Sequence, residues 1–140
     1  MHMLLLQFGH LHEVAARDGT VKMVHNLTIQ IQCPWRISQN SQILIGHRDF
    51  YYSDVGKNSE VVMNKSQYDS VLGSLCAEFE ATSPRVNSID SDETGAFSIY
   101  LSEGYRLEAI PAENTESGKY WRIYEPVGQG KSFVFPPSEE

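Results

Sequence analysis

The segment Leu27-Thr28-Ile29-Gln30-Ile31-Gln32-Cys33-Pro34-Trp35-Arg36 decides the fold class of this chain. Its apolar residues alternate with polar ones as far as Cys33, and this period of two is typical of an antiparallel strand with one buried face. Pro34 removes a backbone donor, so we expect regular pairing to end there. Because Cys33 falls on the apolar face, the pattern predicts a buried thiol rather than a nucleophile.

Similar extended patterns lie on both sides of this segment. Asp18-Gly19 and Glu103-Gly104 are turn signals between such runs, and residues 91–95 read as an acidic turn. Together the patterns predict about 7–8 strands: residues 3–8 with an extension at 10–16, residues 27–33 with 35–37 beyond Pro34, and residues 43–52, 85–90, 97–101, 105–110, 120–124 and 131–135.

One stretch has the period of a helix instead. Apolar residues recur at helical spacing over residues 66–80, at Tyr68, Val71, Leu72, Leu75, Cys76 and Phe79. Ser66 is the predicted N-cap, and Thr82-Ser83-Pro84 is the predicted end. Gly73 weakens the helix, and we interpret it as a close approach to the sheet. The predicted class is α+β: mostly antiparallel sheet in two meanders, with one amphipathic helix between them.

The chain length of 140 residues suits one domain, which we place at residues 1–137, followed by a short acidic tail at 138–140. The two meanders, residues 3–52 and 85–135, share the triplets Trp35-Arg36-Ile37 and Trp121-Arg122-Ile123. A duplicated meander would explain this pseudo-repeat. Chance similarity between strand sequences is the alternative, since two copies are few.

The charge balance limits the classes of partner. The net charge is -7 at neutral pH, which argues against binding a nucleic-acid backbone. It suits a protein partner with a basic surface, such as a toxin or a defence protein, although acidity for solubility alone is the alternative reading. The N-terminal apolar run is too short for a signal peptide or a spanning helix, so we expect a cytoplasmic protein that does not bind membranes.

The sequence contains few signs of catalysis. It has no phosphate-binding loop, no nucleophile elbow and no CxxC pair, and we expect Cys33 and Cys76 to be buried, reduced thiols. His10 and His12 share a strand face and, with His25 or His47, are weak candidates for a metal site. Their spacing matches no known metal motif, so we predict no metal and no cofactor.

Aromatic and arginine residues are the better candidates for function, because Trp, Tyr and Arg are enriched in protein interfaces. Tyr120, Arg122 and Tyr124 share one face of a strand. The alternative is that such aromatic residues only cover sheet edges. The predicted partner-binding set is Trp35, Arg36, Tyr51, Tyr52, Asp90, Asp92, Glu93, Tyr120, Arg122 and Tyr124.

An alternating strand followed by Cys33-Pro34-Trp35-Arg36, with Gly104, Leu107 and Trp121-Arg122 further on, resembles a family of small bacterial proteins of uncharacterised function. Small, acidic, single-domain proteins of this type resemble the immunity proteins that neutralise bacterial polymorphic toxins. They also resemble phage-encoded inhibitors of host defence. The resemblance spans most of the chain and carries over no catalytic residue. It implies only a class, a small binding or inhibitor protein.

We therefore expect a non-enzymatic inhibitor, an immunity protein that neutralises a toxin with a basic active site. A metal- or small-ligand-binding enzyme that uses the histidines is one alternative. A structural or oligomeric module, such as a homodimer, is the other.

Overall fold

The structure is a computed structural model, and it describes residues 3–49, 67–112, 120–126 and 132–137. Tyr51, Tyr52, Ser66 and the predicted tail at 138–140 lie outside the described residues. In chain order the elements are β1 (Leu4–Phe8), β2 (His12–Ala15), β3 (Val21–Val24), β4 (Leu27–Ile31), β5 (Trp35–Gln39), β6 (Gln42–Gly46), α1 (Gln67–Thr82), β7 (Val86–Ser91), β8 (Phe97–Leu101), β9 (Tyr105–Ala109), β10 (Trp121–Tyr124) and β11 (Phe133–Phe135).

The predicted α+β class is confirmed, because the described residues form mostly antiparallel sheet together with one α-helix. The predicted strand number and two-meander layout are wrong in detail. The described residues contain eleven strands in three sheets, ordered β1-β4-β10-β11, β2-β3 and β6-β5-β9-β8-β7. The sequence between β4 and β5 explains part of the difference: Pro34 ends the pairing of β4, and the chain then enters another sheet as β5.

Contacts divide the chain into two compact units, one formed by residues 3–33 and 113–140 and the other by residues 34–112. The prediction of one domain over 1–137 and that of a pseudo-repeat stay predictions. The first triplet, Trp35-Arg36-Ile37, opens β5 in the 34–112 unit, whereas Trp121-Arg122-Ile123 lies in β10 of the other unit.

The unit built from both chain segments has the four-stranded sheet as its centre. Strand β4 pairs with β1 on one side and with β10 on the other. The predicted alternation in β4 is confirmed on its apolar face, where Ile29, Ile31 and the following Cys33 are buried. Thr28, on the opposite face, is buried as well. Strands β2 and β3 form a separate hairpin around Asp18-Gly19, as the turn signal predicts.

The 34–112 unit has a five-stranded sheet with α1 against one face. Side chains on that face form the core, because the rows across the sheet place apolar residues opposite each other: Trp35, Ala109 and Phe97 in one row, and Ile45, Ile37, Leu107 and Ile99 in the next. Phe79 of α1 packs edge-on against Tyr105, with ring centroids 4.9 Å apart.

Helix α1 ends as the sequence predicts. Thr82 is its last residue, and Ser83 takes a positive φ of 47° while its N–H donates to the carbonyl of Phe79 at 2.8 Å. Leu75 is buried, but two predictions about the helix are wrong. Cys76 is exposed rather than buried, and Gly73 faces open space rather than the sheet. The apolar stripe is therefore narrower than the sequence period indicates.

Among the described residues, no helix combines the length and the apolar composition needed to cross a membrane.

Candidate functional site

The face of the five-stranded sheet opposite α1 is polar, and it carries a connected cluster of charged and aromatic side chains. In strand β9 the side chains alternate: Tyr105 and Leu107 lie on the helix side, so Arg106 and Glu108 lie on the other. Pairing across the sheet puts Arg36, Glu108, Ser98 and Asp90 in one row of this face and Ser38, Arg106, Tyr100 and Ser88 in the next. We call this surface the arginine–glutamate face.

Glu108 lies at the centre of the arginine–glutamate face and is held by two arginines. Its Oε2 accepts hydrogen bonds from Arg36 Nε at 3.0 Å and from Arg36 Nη2 at 2.7 Å. Its Oε1 lies 3.0 Å from Arg106 Nε, which makes an ion pair, although the Nε–H of Arg106 does not point along a hydrogen bond. Both carboxylate oxygens are therefore paired with positive charge.

The two arginines shield the carboxylate and stay accessible themselves. The side chain of Glu108 is only 8% exposed, whereas those of Arg36 and Arg106 are 44% and 41% exposed. Burying a carboxylate is costly unless it is paired, and here the paired groups are also the groups that cover it. Glu108 thus fixes two half-exposed guanidinium groups in place.

Arg106 makes two further contacts with neighbouring strand β8. Its Nη2 donates to Ser98 Oγ at 3.3 Å, and its Cζ lies 4.9 Å from the centre of the Tyr100 ring. Guanidinium stacking on an aromatic ring is a favourable cation–π contact. Tyr100, Arg106 and Glu108 consequently form a connected set of side chains with restricted rotamers.

An open cleft borders Glu108 toward the outer strands. Its lining includes Glu108 and Ser98 at one side and Asp90 and Asp92 at the other. Asp90 is exposed and lies in the same row as Arg36 and Glu108. Two residues of the predicted partner-binding set, Arg36 and Asp90, are therefore on one face of one sheet.

Asp92 has a structural role in the turn between β7 and β8. Its Oδ1 accepts from the N–H of Thr94 at 2.8 Å, from the Thr94 hydroxyl, and from the N–H of Ala96 at 3.3 Å. These bonds, the Thr94 hydroxyl first, hold the pKa of Asp92 below its ordinary value, because they favour the charged carboxylate. The side chain of Glu93, in the same turn, is exposed.

Trp35 is not part of this surface. It points to the helix side of the sheet and is 2% exposed, so it belongs to the core of the 34–112 unit. A buried side chain offers no area to a partner, and we leave Trp35 out of the proposed contact face. Tyr51 and Tyr52 lie outside the described residues.

The other predicted aromatic residues belong to the unit of residues 3–33 and 113–140. Arg122 and Tyr124 share the polar face of β10, with Arg122 Cζ 4.7 Å from the Tyr124 ring centre. Tyr120 precedes β10, and its ring stacks on Phe135 with centroids 6.2 Å apart. The structure therefore brings Arg122 and Tyr124 together but turns Tyr120 toward β11.

The histidine candidates do not form a cluster. His10 is exposed in the turn between β1 and β2, His12 opens β2, and His25 Nδ1 lies 3.0 Å from the carbonyl oxygen of Gly9. Since a carbonyl only accepts, His25 carries its proton on Nδ1. In the described ranges, no three His, Cys, Asp or Glu side chains come together in a way that could hold a metal ion.

Sequence reasoning missed Glu108, Arg106 and Tyr100 as members of a site. The signal is present in β9, where Arg106 and Glu108 alternate with apolar residues and so must share the polar face. What the sequence cannot provide is the neighbour of each strand. Only the pairing of β9 with β5 and β8 places Arg36 and Tyr100 beside them.

Comparison with known proteins returned no match for this chain among family models, curated proteins or solved structures.

Proposed function

We propose that the chain is a non-enzymatic protein-binding protein that acts as an inhibitor, and that the arginine–glutamate face is its contact surface. The observation that carries this proposal is the buried carboxylate of Glu108, which holds two half-exposed arginines in fixed positions. Ordering flexible side chains costs free energy on binding, and this cost is reduced when the side chains are already held.

The composition of the face also supports a protein partner. Arginine and tyrosine are the residues that contribute most often to binding free energy, and Arg106 stacks on Tyr100 in the centre of the face. A guanidinium group presents several donors in one plane, which suits backbone carbonyls of another protein. The core of the unit lies on the other side of the sheet.

The charge distribution supports a partner with a basic surface. Residues 34–112 contain six Lys or Arg and eleven Asp or Glu, so most of the negative charge belongs to the unit that carries the face. Asp90, Asp92 and Glu93 lie at the β7 side of it, and all three are exposed. An acidic rim accelerates association with a basic protein and selects against acidic ones. A toxin that grips nucleic acid has such a basic active site, and an immunity protein for a toxin of this class is the specific form of the proposal.

Affinity capture tests the proposal. The immobilised 140-residue chain is exposed to an extract of cells that encode it, in parallel with the variants Tyr100→Ala and Arg85→Ala. Tyr100→Ala removes the ring under Arg106 and leaves the Glu108 ion pairs in place. Arg85 is an exposed arginine with no side-chain contact among the described residues that involves the face, so Arg85→Ala is the matched control.

We expect a basic protein that the wild-type chain and Arg85→Ala retain and that Tyr100→Ala binds at least ~10-fold more weakly, as for loss of an interface aromatic residue. Retention should fall as salt rises. The captured protein should also lose its toxic activity at a 1:1 ratio. Equal retention by all three chains, or a captured protein whose activity is unchanged, would overturn the proposal.

A further inference from the structure

We propose that a second copy of this chain pairs with the free edge of β7 and continues the five-stranded sheet across a dimer. β7 is the last strand in the order β6-β5-β9-β8-β7, and every one of its six residues is exposed. Among the residues that the structure describes, β8 is the only strand paired with it. An edge of this kind presents unpaired backbone donors and acceptors to another strand.

The backbone groups that point away from β8 can be identified from the adjoining turn. In an antiparallel pair, alternate residues direct both their N–H and C=O toward the partner strand. The N–H of Asp92 donates to the carbonyl of Ala96 at 3.0 Å, so Asp92 and, two residues earlier, Asp90 face β8. Ile89 and Ser91 consequently direct their N–H and C=O groups outward.

A two-fold axis at Ile89 gives a self-complementary register. Ile89 then exchanges both hydrogen bonds with Ile89 of the second copy, and Asp90 lies opposite Ser88. An axis at Asp90 would place two carboxylates opposite each other, and an axis at Ser91 would place Asp90 opposite Asp92. Like charges in directly opposed positions destabilise a strand pair, so the sequence excludes both alternatives.

The bulge in β7 excludes the remaining register. Pairing with β8 shifts between Val86 and Ser88, which leaves Asn87 as the extra residue of a β-bulge. An axis at Ser88 would place Asn87 next to the central pair, whereas an axis at Ile89 centres the contact on the regular residues 88–90 and leaves Asn87 opposite Ser91 at its two ends. Val86 to Ser91 contains neither lysine nor proline, two of the residues that block pairing at an edge.

Ile89 supplies the apolar part of the contact. Its side chain points to the helix side of the sheet and is 61% exposed, in a position where a chain acting alone gains nothing from an isoleucine. In the proposed register the two Ile89 side chains are nearest neighbours and cover each other. The contact area is small, so we expect a dimer that forms in the micromolar range rather than a permanent one.

Sedimentation velocity over a concentration series tests the pairing. The wild-type chain should shift from monomer to dimer, and Ile89→Lys should remain monomeric at concentrations at least ~10-fold higher, because the charge cannot be buried in the contact. Ile43→Lys is the matched control, since Ile43 is also exposed and lies on β6, the opposite edge. It should dimerise as the wild type does. A wild-type chain that stays monomeric, or a control that dissociates as readily as Ile89→Lys, would refute the pairing.

Disulfide trapping tests the register. Directly opposed, hydrogen-bonded residues have Cα atoms about 5.5 Å apart, which lies within the range that a disulfide spans. In a Cys76→Ser background, which removes the exposed native thiol, Ile89→Cys should form a covalent dimer on mild oxidation. Val86→Cys, on the same strand but far from its own copy, should not. Equal cross-linking of the two variants would contradict the two-fold axis at Ile89.

The test of dimerisation through β7 does not depend on the proposed inhibitor function. Both variants leave Tyr100 and Arg106 untouched, so a monomeric Ile89→Lys that still captures the inhibitor's target confirms the edge contact alone. Capture of a foreign strand by β7, with no self-association, would show a hetero-partner and overturn the proposal of a second copy.

Discussion

Arg36 and Glu108 lie directly opposite each other on β5 and β9, and Arg36 Nη2 donates to Glu108 Oε2 at 2.7 Å. Arg106, two residues before Glu108 on β9, forms an ion pair with the other carboxylate oxygen, Oε1. One acidic side chain thus organises two basic ones on the surface of an acidic protein.

Replacing Glu108 by glutamine should destabilise the chain by roughly 1–3 kcal/mol, because two arginines would lose their counter-charge; their partial exposure keeps the cost below that of a fully buried pair. Urea denaturation measures this as a lower midpoint. Glu103→Gln, at an exposed glutamate, is the control and should stay within about 0.5 kcal/mol of wild type. If the two variants were equally stable, the ion pairs would contribute nothing.

Gly73→Ala should stabilise the chain by about 1 kcal/mol, since Gly73 lies inside α1 and a Cβ placed there meets nothing within 4 Å. Thermal unfolding checks it as a higher Tm. Gly104→Ala should do the opposite. Gly104 has a φ of 76°, and an added Cβ would collide with the side chain of Asn40. A stabilised Gly104→Ala variant would be inconsistent with this turn geometry.

Tyr105 should titrate far above an ordinary tyrosine. Its burial first, and then the nearby Glu78 carboxylate, raise its pKa to about 12, because both disfavour the phenolate. The unfolded chain loses this proton near 10.0 and the folded chain near 12, so the folded state holds the proton more tightly. The contribution of this proton to the free energy of unfolding is therefore fully present below pH 10. It is lost as the pH rises toward about 12, and the loss is roughly 2–3 kcal/mol.

Tyr105→Phe isolates this effect. The hydroxyl of Tyr105 has no hydrogen bond of normal geometry, and phenylalanine keeps the ring contact with Phe79. The variant should match or exceed wild-type stability at neutral pH and should lose less stability between pH 10 and about 12. Urea midpoints at the two pH values measure it. Parallel alkaline curves for the two proteins would contradict the raised pKa.

Asp92→Ala should destabilise the chain at neutral pH, because the turn between β7 and β8 loses three accepted hydrogen bonds. The pKa of Asp92 is lowered from 3.8 in the folded state, so its stabilising effect is present above that value and disappears as the pH falls through the lower folded-state pKa. The stability difference from wild type should narrow as the pH falls below 3.8. Asp90→Ala, at the adjoining end of β7, is the matched control for the neighbouring charge.

Local pattern in the sequence was sufficient for single elements. The alternation through Ile31 predicted β4, the spacing through Phe79 predicted α1, and Asp18-Gly19 predicted a hairpin, all of which the structure contains. Errors arose wherever a residue's surroundings come from distant strands. Thr28 belongs to a polar face by period, yet it is buried between Gln7 and Tyr124 of the adjacent strands.

The same limit applies to the candidate site. Arg36 and Asp90 could be singled out by residue type, but they are 54 positions apart, and only the order β5-β9-β8-β7 places them in one row. The predicted partner-binding set does not contain Glu108, because the sequence pattern of a single glutamate in a strand predicts a residue exposed to solvent. Its role depends on its two arginine neighbours. Strand pairing and the alternation along β9 place them beside Glu108, and the local sequence around Glu108 does not show this.

The path of the chain through the two units has a consequence for synthesis on the ribosome. Residues 34–112 are contiguous, so their sheet and helix can assemble as soon as that stretch has emerged. The other unit cannot assemble at that stage, because Ile31 of β4 pairs with Trp121 of β10, which is synthesised 90 residues later. Closing so long a loop is slow. During that interval β4 has an unpaired, apolar side, so the nascent chain is at its most vulnerable to aggregation just before β10 is made.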